Sequence, residues 1–405
     1  MNRKLIGVLL FLFVTAVAFS ADVHDVLGEA GRLMEAGRYY TAFKLLNDSS
    51  WGTENPDIVL KKVEIALNYY VTSINHETFG FKDLGPGERI LALRGQEGAY
   101  ATYYFPISEV LHSLLQKHPE DWRIHKALGE YYFEVFQNYR GGWRKSDEEV
   151  LRLADEHYRI AREHGVYDFK SLFFLGLNQI LQKNYEQASV LLTEALECGE
   201  ATHPLYATAN YNLAYVYLHR REFAKGLRYA MNSYNLYQQP TDRADAARMV
   251  GILYRQLGDR SAAIKYFTTA DQLTPGNYYN LLPLLELHLE DTGPAQANHI
   301  AEQLFALQPA SPNILSDIMT SYGRNGYSTE FINLCQHLTG VYAQNNEALG
   351  NLYFHLGFCY YVLGNYTECR NNFLTSREHY VQCYLPNHEV FSVISDYLEH
   401  IEQLE

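Results

Sequence analysis

The sequence predicts an all-α fold built from stacked helix-turn-helix units, and three observations predict it. First, similar helical blocks begin at Leu175, Leu213, Val250, Leu284, Ile318 and Leu356, with separations of 38, 37, 34, 34 and 38 residues. A nearly fixed period of this length marks hairpins that stack, because one hairpin alone cannot bury both of its apolar faces. Second, a small residue follows the first apolar one at Gly176, Ala214, Gly251 and Gly357. Another lies twelve residues further on at Ala188, Gly226, Ala263 and Cys369. Antiparallel helices approach closely only where the side chains at their crossing are small. Third, the punctuation fits. In LYRQLGDRSAAIKYFTTADQLTP, Gly258 is placed for a positive φ, Ser261 to cap a second helix over about 262–273, and Pro275 to stop it. Large residues four beyond the second small position, Phe267 and Phe373, are expected to pack outward onto the next hairpin.

Each element follows in order. Asn2, Arg3 and Lys4 precede an uncharged apolar run from Leu5 to Ala18 and the small-x-small triplet Ala18-Phe19-Ser20. This is the secretory signal pattern, so residues 1–20 are expected to be removed; the alternative is an uncleaved N-terminal tether. EAGRYYTAFKLL from Glu35 reads as the turn and second helix of an early hairpin. VEIALNYYV from Val63 is expected to pair with FPISEVLHSLLQKHP, which ends at Pro119. Between them, ERILALR and AYATYYF flank GQEG, which predicts a β-hairpin insertion near residues 76–105. KALGEYYFEVF from Lys126 and LRLADEHYRIAREHG from Leu151 read as another helix pair, with YRGGWRKS inserted at 139–147. Ser146 and Glu149 are spaced as a capping box for the second helix of this pair. About nine units then fill residues 21–382. A terminal helix within 383–405 is expected to cover the last hairpin, as solenoid caps do.

In the block from Val250, Gly251, Tyr254, Gly258, Ala263, Phe267, Ala270 and Pro275 resemble the signature of the tetratricopeptide repeat family. Agreement is good in the blocks from Leu175, Leu213 and Leu356. It is weak from Leu284 and Ile318, where Leu285 and Met319 replace the small residue and Phe331 replaces the alanine. The resemblance implies a right-handed superhelical solenoid. It also implies a role in protein–protein interaction, through a concave face lined by the first helix of each hairpin.

Composition narrows the function. The 405 residues are 47% hydrophobic and include 34 Tyr and 20 Phe, and tyrosine suits half-buried positions. The formal net charge is −14, and −16 once Arg3 and Lys4 leave with residues 1–20. An acidic chain without a basic run is not built for nucleic acid. No second apolar run reaches spanning length, so no membrane insertion is expected after cleavage, and a periplasmic or secreted location follows. Five cysteines are too few and odd in number for a disulfide framework, although four lie after residue 334 and leave room for one local bridge.

No H-E-x-x-H, G-x-S-x-G, P-loop or paired C-x-x-C is present, and GPGE at Gly85 reads as a turn. His379, Cys383 and His388 could be imagined around a metal, but a frayed polar segment is the simpler reading. The chain is therefore read as a nonenzyme with no metal and no cofactor, and no oligomeric state is assigned. Mapped through the resemblance, the partner-binding face comprises Phe173 and Leu177; Tyr211, Tyr215, Leu218 and His219; Arg248 and Arg255; and Phe354, Phe358 and Tyr361. Ile252, Leu282, Glu286 and Leu289 lie on the same face. Tyr211, Tyr215 and Leu218, like Phe354, Phe358 and Tyr361, follow i, i+4, i+7 spacing, which places each set on one helix face. Aromatics beside Arg are the residue types that dominate interface energetics. Trp143 and Arg144 form a second candidate, a contact loop, unless the indole folds back on its own hairpin. The expected function is an exported scaffold that holds a protein or peptide in a cell-envelope assembly. The alternative is a small-ligand-binding accessory of an envelope transport or enzyme system, with its pocket beside the 76–105 insertion.

Overall fold

The structure is a computed structural model that describes residues 22–52 and 54–404. The expected signal segment lies outside the described residues. Twenty helices and three short strands occur among the described residues, in two compact units that meet in sequence at Gly199 and Glu200.

In the first unit, α1 (Val23–Glu35) and α2 (Tyr39–Asp48) form a hairpin, and α3 (Pro56–Asn68) packs on both. Asp22 caps α1 by accepting from His24 N–H, and Asn55 caps α3 through Asp57 and Ile58 N–H. The insertion follows, and it differs from the expected hairpin. It is a three-stranded antiparallel sheet of β1 (Thr72–Ile74), β2 (Thr78–Phe81) and β3 (Ala101–Tyr104), in the order β1-β2-β3. AYATYYF supplies a strand, but ERILALR does not; it forms the short helix α4 (Ile90–Leu93). The missing partner is TFGF, paired with β3 as Phe79↔Tyr103 and Phe81↔Ala101. β1 and β2 turn through Asn75 and His76 at φ 53° and 57°, closed by Glu77 N–H donating to the Ile74 carbonyl at 3.0 Å. Positive φ at both turn residues matches the twist of a hairpin. Phe79, Phe81 and Phe105 are buried, and Phe43 of α2 stacks on Phe81 at 4.4 Å, so the sheet closes the core of the early hairpins.

The unit continues with α5 (Ile107–Lys117), α6 (Trp122–Asn138), α7 (Asp147–Glu163), α8 (Phe169–Leu181) and α9 (Tyr185–Cys198). α3 touches α5, as expected, and α6 pairs with α7. Half of the expected capping box forms. Ser146 accepts from Glu149 N–H at 3.2 Å, while the Glu149 carboxylate takes Lys145.

The second unit comprises α10 (Tyr206–His219), α11 (Phe223–Leu236), α12 (Pro240–Leu257), α13 (Arg260–Leu273), α14 (Tyr278–Asp291), α15 (Pro294–Leu307), α16 (Pro312–Arg324), α17 (Ser328–Val341), α18 (Asn346–Val362), α19 (Tyr366–Val381) and α20 (Glu389–Glu402). Gly258 ends α12 at φ 83°, as its position requires. The cap of α13 is Asp259, which accepts from Ala262 N–H at 2.9 Å; Ser261 falls inside the helix. Asp259 sits three residues before that donor, the reach a side-chain cap needs.

The small positions work through large partners. A β-carbon on Gly251 would lie 3.0 Å from the Phe267 ring, and one on Gly357 2.9 Å from Phe373. Gly129 meets Tyr158, and Gly350 meets Tyr380, both at 2.6 Å, while Gly176 meets Leu192 at 2.7 Å. Phe267 and Phe373 therefore turn inward, into the notch of their own hairpin, before their far edges reach Leu284 and Leu287, or Ile394 and Ile401. In the α16–α17 hairpin Met319 and Phe331 occupy the small positions. An apolar cleft of about 160 Å³ remains there, lined in part by Met319, Gly323, Phe331 and Phe358.

All five cysteines are free, and Cys335, Cys359 and Cys369 are buried among apolar neighbours that push their thiols up. His379 is turned to Asn346 at 3.0 Å, and His388 stacks on Tyr384 at 4.1 Å.

Gly251→Leu should overfill its notch and cost about 1–3 kcal/mol in urea unfolding. Gly28, mid-helix in α1, has nothing beyond its own helical backbone and chain neighbours within 4 Å of where a β-carbon would stand. Gly28→Ala should therefore stabilise by up to about 1 kcal/mol. A destabilised Gly28→Ala would contradict this packing.

Candidate partner-binding site

The first-helix faces differ between the two units. In the first unit the face is ionic. Lys170 on α8 binds Glu130 at 3.2 Å and Glu134 at 2.5 Å on α6, and Lys126 binds Asp168 at 2.6 Å. Burial disfavours the Lys170 charge, but the two glutamates outweigh it and its pKa is raised. The predicted aromatic there, Phe173, is core instead: 2% exposed and stacked on Phe169 at 5.9 Å. Leu177 is half-buried. The period places Phe173 on a first helix but does not tell which side of that helix the neighbouring helices cover.

In the second unit the face is aromatic and aliphatic at α10. Tyr211, Tyr215 and Leu218 are half-buried and rest on the cluster of Ala214, Ala230, Met249, Val250 and Leu253. His219 is exposed and lies against Tyr215, with ring centroids 4.3 Å apart. Burial first, and Asp245 second, raise the Tyr211 hydroxyl pKa, so the hydroxyl stays a neutral donor. The two arginines do not stand free. Arg248 holds Asp245 at 2.5 Å and reaches Asn280 at 3.4 Å; Arg255 holds Glu286 at 2.6 Å and Glu290 at 3.3 Å. They tie α12 to α14, and the carboxylates compensate their charge. Beyond them Tyr278 donates to Asp317 at 2.6 Å, with its pKa pushed up to about 12 by burial and by that bond.

Phe354, Phe358 and Tyr361 are brought together, but under the terminal helix. Tyr397 of α20 lies 6.3, 6.1 and 5.7 Å from their ring centroids, and His400 lies 6.0 Å from Tyr361. The cap thus seats on the stripe that periodicity marked as groove. Trp143 also folds back, yet not onto its own hairpin alone. Its indole N–H donates to the Asn75 carbonyl at 3.0 Å, its ring meets Tyr131 and Tyr132 edge-on, and Arg144 pairs with Glu77 at 2.6 Å. The loop clasps the β1–β2 turn, which sequence spacing alone does not connect to it.

One cluster had no sequence signal beyond scattered histidines. His125 and His157 place their Nδ1 atoms 2.9 Å apart, and the His112 ring lies 5.8 Å from His157. Burial, then the neighbouring histidines, bring His157 down to about 4. Burial likewise brings His76 to about 3 and His355 to about 4. Among the described residues no group of three His, Cys, Asp or Glu side chains is placed to hold a metal ion, and no helix is long and apolar enough to cross a membrane.

The hairpin at α12–α13 carries the decisive match: residues 249–277 fit the family model described as tetratricopeptide repeat. The chain carries a tetratricopeptide repeat at these residues. No curated protein matches the sequence significantly. Among solved structures, the apo form of RapI is 13% identical over 89% of this chain and 98% of its own, with a TM-score of 0.43. A tetratricopeptide repeat protein from Parabacteroides merdae is 19% identical over 69% of this chain and 98% of its own, with a TM-score of 0.41. YrrB, described as a TPR protein with an unusual peptide-binding site, is 15% identical over 48% of this chain and 97% of its own, with a TM-score of 0.37.

The buried histidines set a pH dependence. Their folded pKa values lie below the unfolded value of about 6.5, so the unfolded chain binds more protons between there and about 4. Stability should be complete above pH 6.5 and fall as pH drops through that window. Melting temperature recorded from pH 7.5 to 4.5 should show the decline, and His157→Gln should make it shallower, since His76 and His355 still contribute; a level profile would contradict neutral burial of these rings.

Proposed function

We propose that this tetratricopeptide-repeat chain is an exported, noncatalytic scaffold that holds an extended segment of a protein partner along the first-helix face of residues 206–291. The observation that carries this reading is the α10 stripe. Tyr211, Tyr215 and Leu218 are anchored by their buried sides and keep their other sides toward solvent, with Arg248 and Arg255 already oriented on α12, the first helix of the next hairpin. Rings fixed in this way lose little side-chain entropy when a partner covers them, and Tyr and Arg are the commonest interface anchors. The arginines are charge-compensated, which favours a neutral, apolar or aromatic segment over a strongly acidic one at this face.

Export and a place in the cell envelope belong to the same proposal. Their support is the N-terminal pattern of basic start, apolar run and Ala18-Phe19-Ser20. Small-ligand binding beside the insertion is less favoured, because Phe79, Phe81 and Phe105 fill that region as core.

A pulldown from the native envelope fraction tests the reading. The Tyr211→Ala/Tyr215→Ala double variant should keep its helical circular dichroism and lose a retained polypeptide. Retention of the same proteins by both forms would refute the face. Mass spectrometry of the exported chain should find its N-terminus at Ala21.

A further inference from the structure

A second surface lies on the opposite, second-helix side of the same hairpins. Tyr217 of α10 stacks on Tyr229 of α11 with centroids 5.6 Å apart and planes at 10°. Thirty-seven residues later, Tyr254 of α12 stacks on Tyr266 of α13 at 5.6 Å and 16°. Tyr234 of α11 meets Tyr266 edge-on at 5.8 Å, so a ring of α11 also packs on the second stack. A cation lies over a ring at each outer position. The Arg228 guanidinium is 4.7 Å from the Tyr229 centroid, the Arg243 guanidinium 4.7 Å from Tyr234, and the Lys265 ammonium 5.5 Å from Tyr266.

These three cations differ from their neighbours. In the same unit Arg248, Arg255, Arg260 and Arg370 each hold a carboxylate. Arg228, Arg243 and Lys265 hold none among the described residues; Arg228 donates only to the Tyr229 hydroxyl, at 2.8 Å, and Arg243 only to that of Tyr234, at 3.4 Å. All three are exposed. Beside them Lys225, over the Tyr217 ring, and Arg220 share Glu222. In a chain of net charge −14, with carboxylates in excess, Arg228, Arg243 and Lys265 are nevertheless left unpaired, which raises the positive potential around them. The rings hold each cation over an aromatic face and restrict its rotamers before any partner arrives.

We propose that the face formed by α11, α13 and the start of α12 docks an acidic segment of a protein partner. Charge complementarity selects it: carboxylates would complete the pairing that the chain itself withholds, while the Tyr faces cover the segment's intervening side chains. Adjacent helix layers stand about 8–10 Å apart, and an extended chain advances about 3.3 Å per residue. Carboxylates about three residues apart would therefore meet Arg228 and Lys265 in turn. The high charge density of nucleic acid is opposed by the rest of this acidic surface.

The test is fluorescence anisotropy with the full chain and a labelled short peptide carrying Glu at every third position, against the same peptide with Gln. The Glu peptide should bind at low salt, and binding should vanish near 1 M salt, where the Debye length is about 3 Å. Arg228→Gln/Arg243→Gln/Lys265→Gln should weaken it at least about tenfold, or about 1.4 kcal/mol. Arg228→Lys/Arg243→Lys should restore most of it, which a folding defect would not. Tyr211→Ala/Tyr215→Ala should leave it unchanged, separating this face from the first-helix face. Equal binding of the Gln peptide, or no effect of the triple variant, would overturn the proposal. So would binding of oligogalacturonate but not the Glu peptide, or salt-sensitive self-association in sedimentation that the peptide fails to displace.

Discussion

Everything in these repeats depends on an absent side chain. At Gly129, Gly176, Gly251, Gly350 and Gly357 the first helix of a hairpin presents a notch, and a ring or leucine from the second helix fills it. The notch brings two helix axes close, and the filling side chain is long enough to reach past them to the next hairpin. Phe267 does both, touching Gly251 behind and Leu284 and Leu287 ahead. A hairpin therefore cannot be packed independently of its successor. Where Met319 and Phe331 take the small positions, the hairpin still forms but leaves an apolar cleft, the void that close packing otherwise removes.

This packing leaves helix surfaces to be dealt with in different ways along the chain. α6 and α8 close theirs with the Lys126, Lys170, Glu130, Glu134 and Asp168 network. α12 and α14 join theirs through Arg255 and Glu286. α18 hands its aromatic stripe to Tyr397 of the terminal helix. At α10 the stripe is left half-covered, and Arg228, Arg243 and Lys265 of α11, α12 and α13 are left without a carboxylate partner. Both proposed surfaces are places where intramolecular pairing is incomplete.

The β insertion and the 139–147 loop show a related economy. Trp143, Arg144 and Tyr139 converge on the β1–β2 turn, where Tyr139 accepts from His76 N–H at 3.1 Å. Two irregular segments are thereby tied together beside an otherwise helical core, with the His76 ring buried between them.

The sequence by itself determined the hairpins: their period, their glycine notches, the turn at Gly258 and the terminal helix. These are short-range steric rules, in which the identity of one residue constrains helices a few residues away. Tertiary structure decided which faces those helices cover. Phe173 and Tyr211 share a repeat position, yet one is core and the other half-exposed, because helix rotation and neighbouring side chains differ from hairpin to hairpin. It also decided that β3 pairs with TFGF rather than ERILALR, that Asp259 rather than Ser261 caps α13, and that Arg255 finds Glu286 while Arg228 finds only Tyr229. Strand partners and ion pairs join residues far apart in sequence, and their choice depends on distances that exist only once the repeats are stacked.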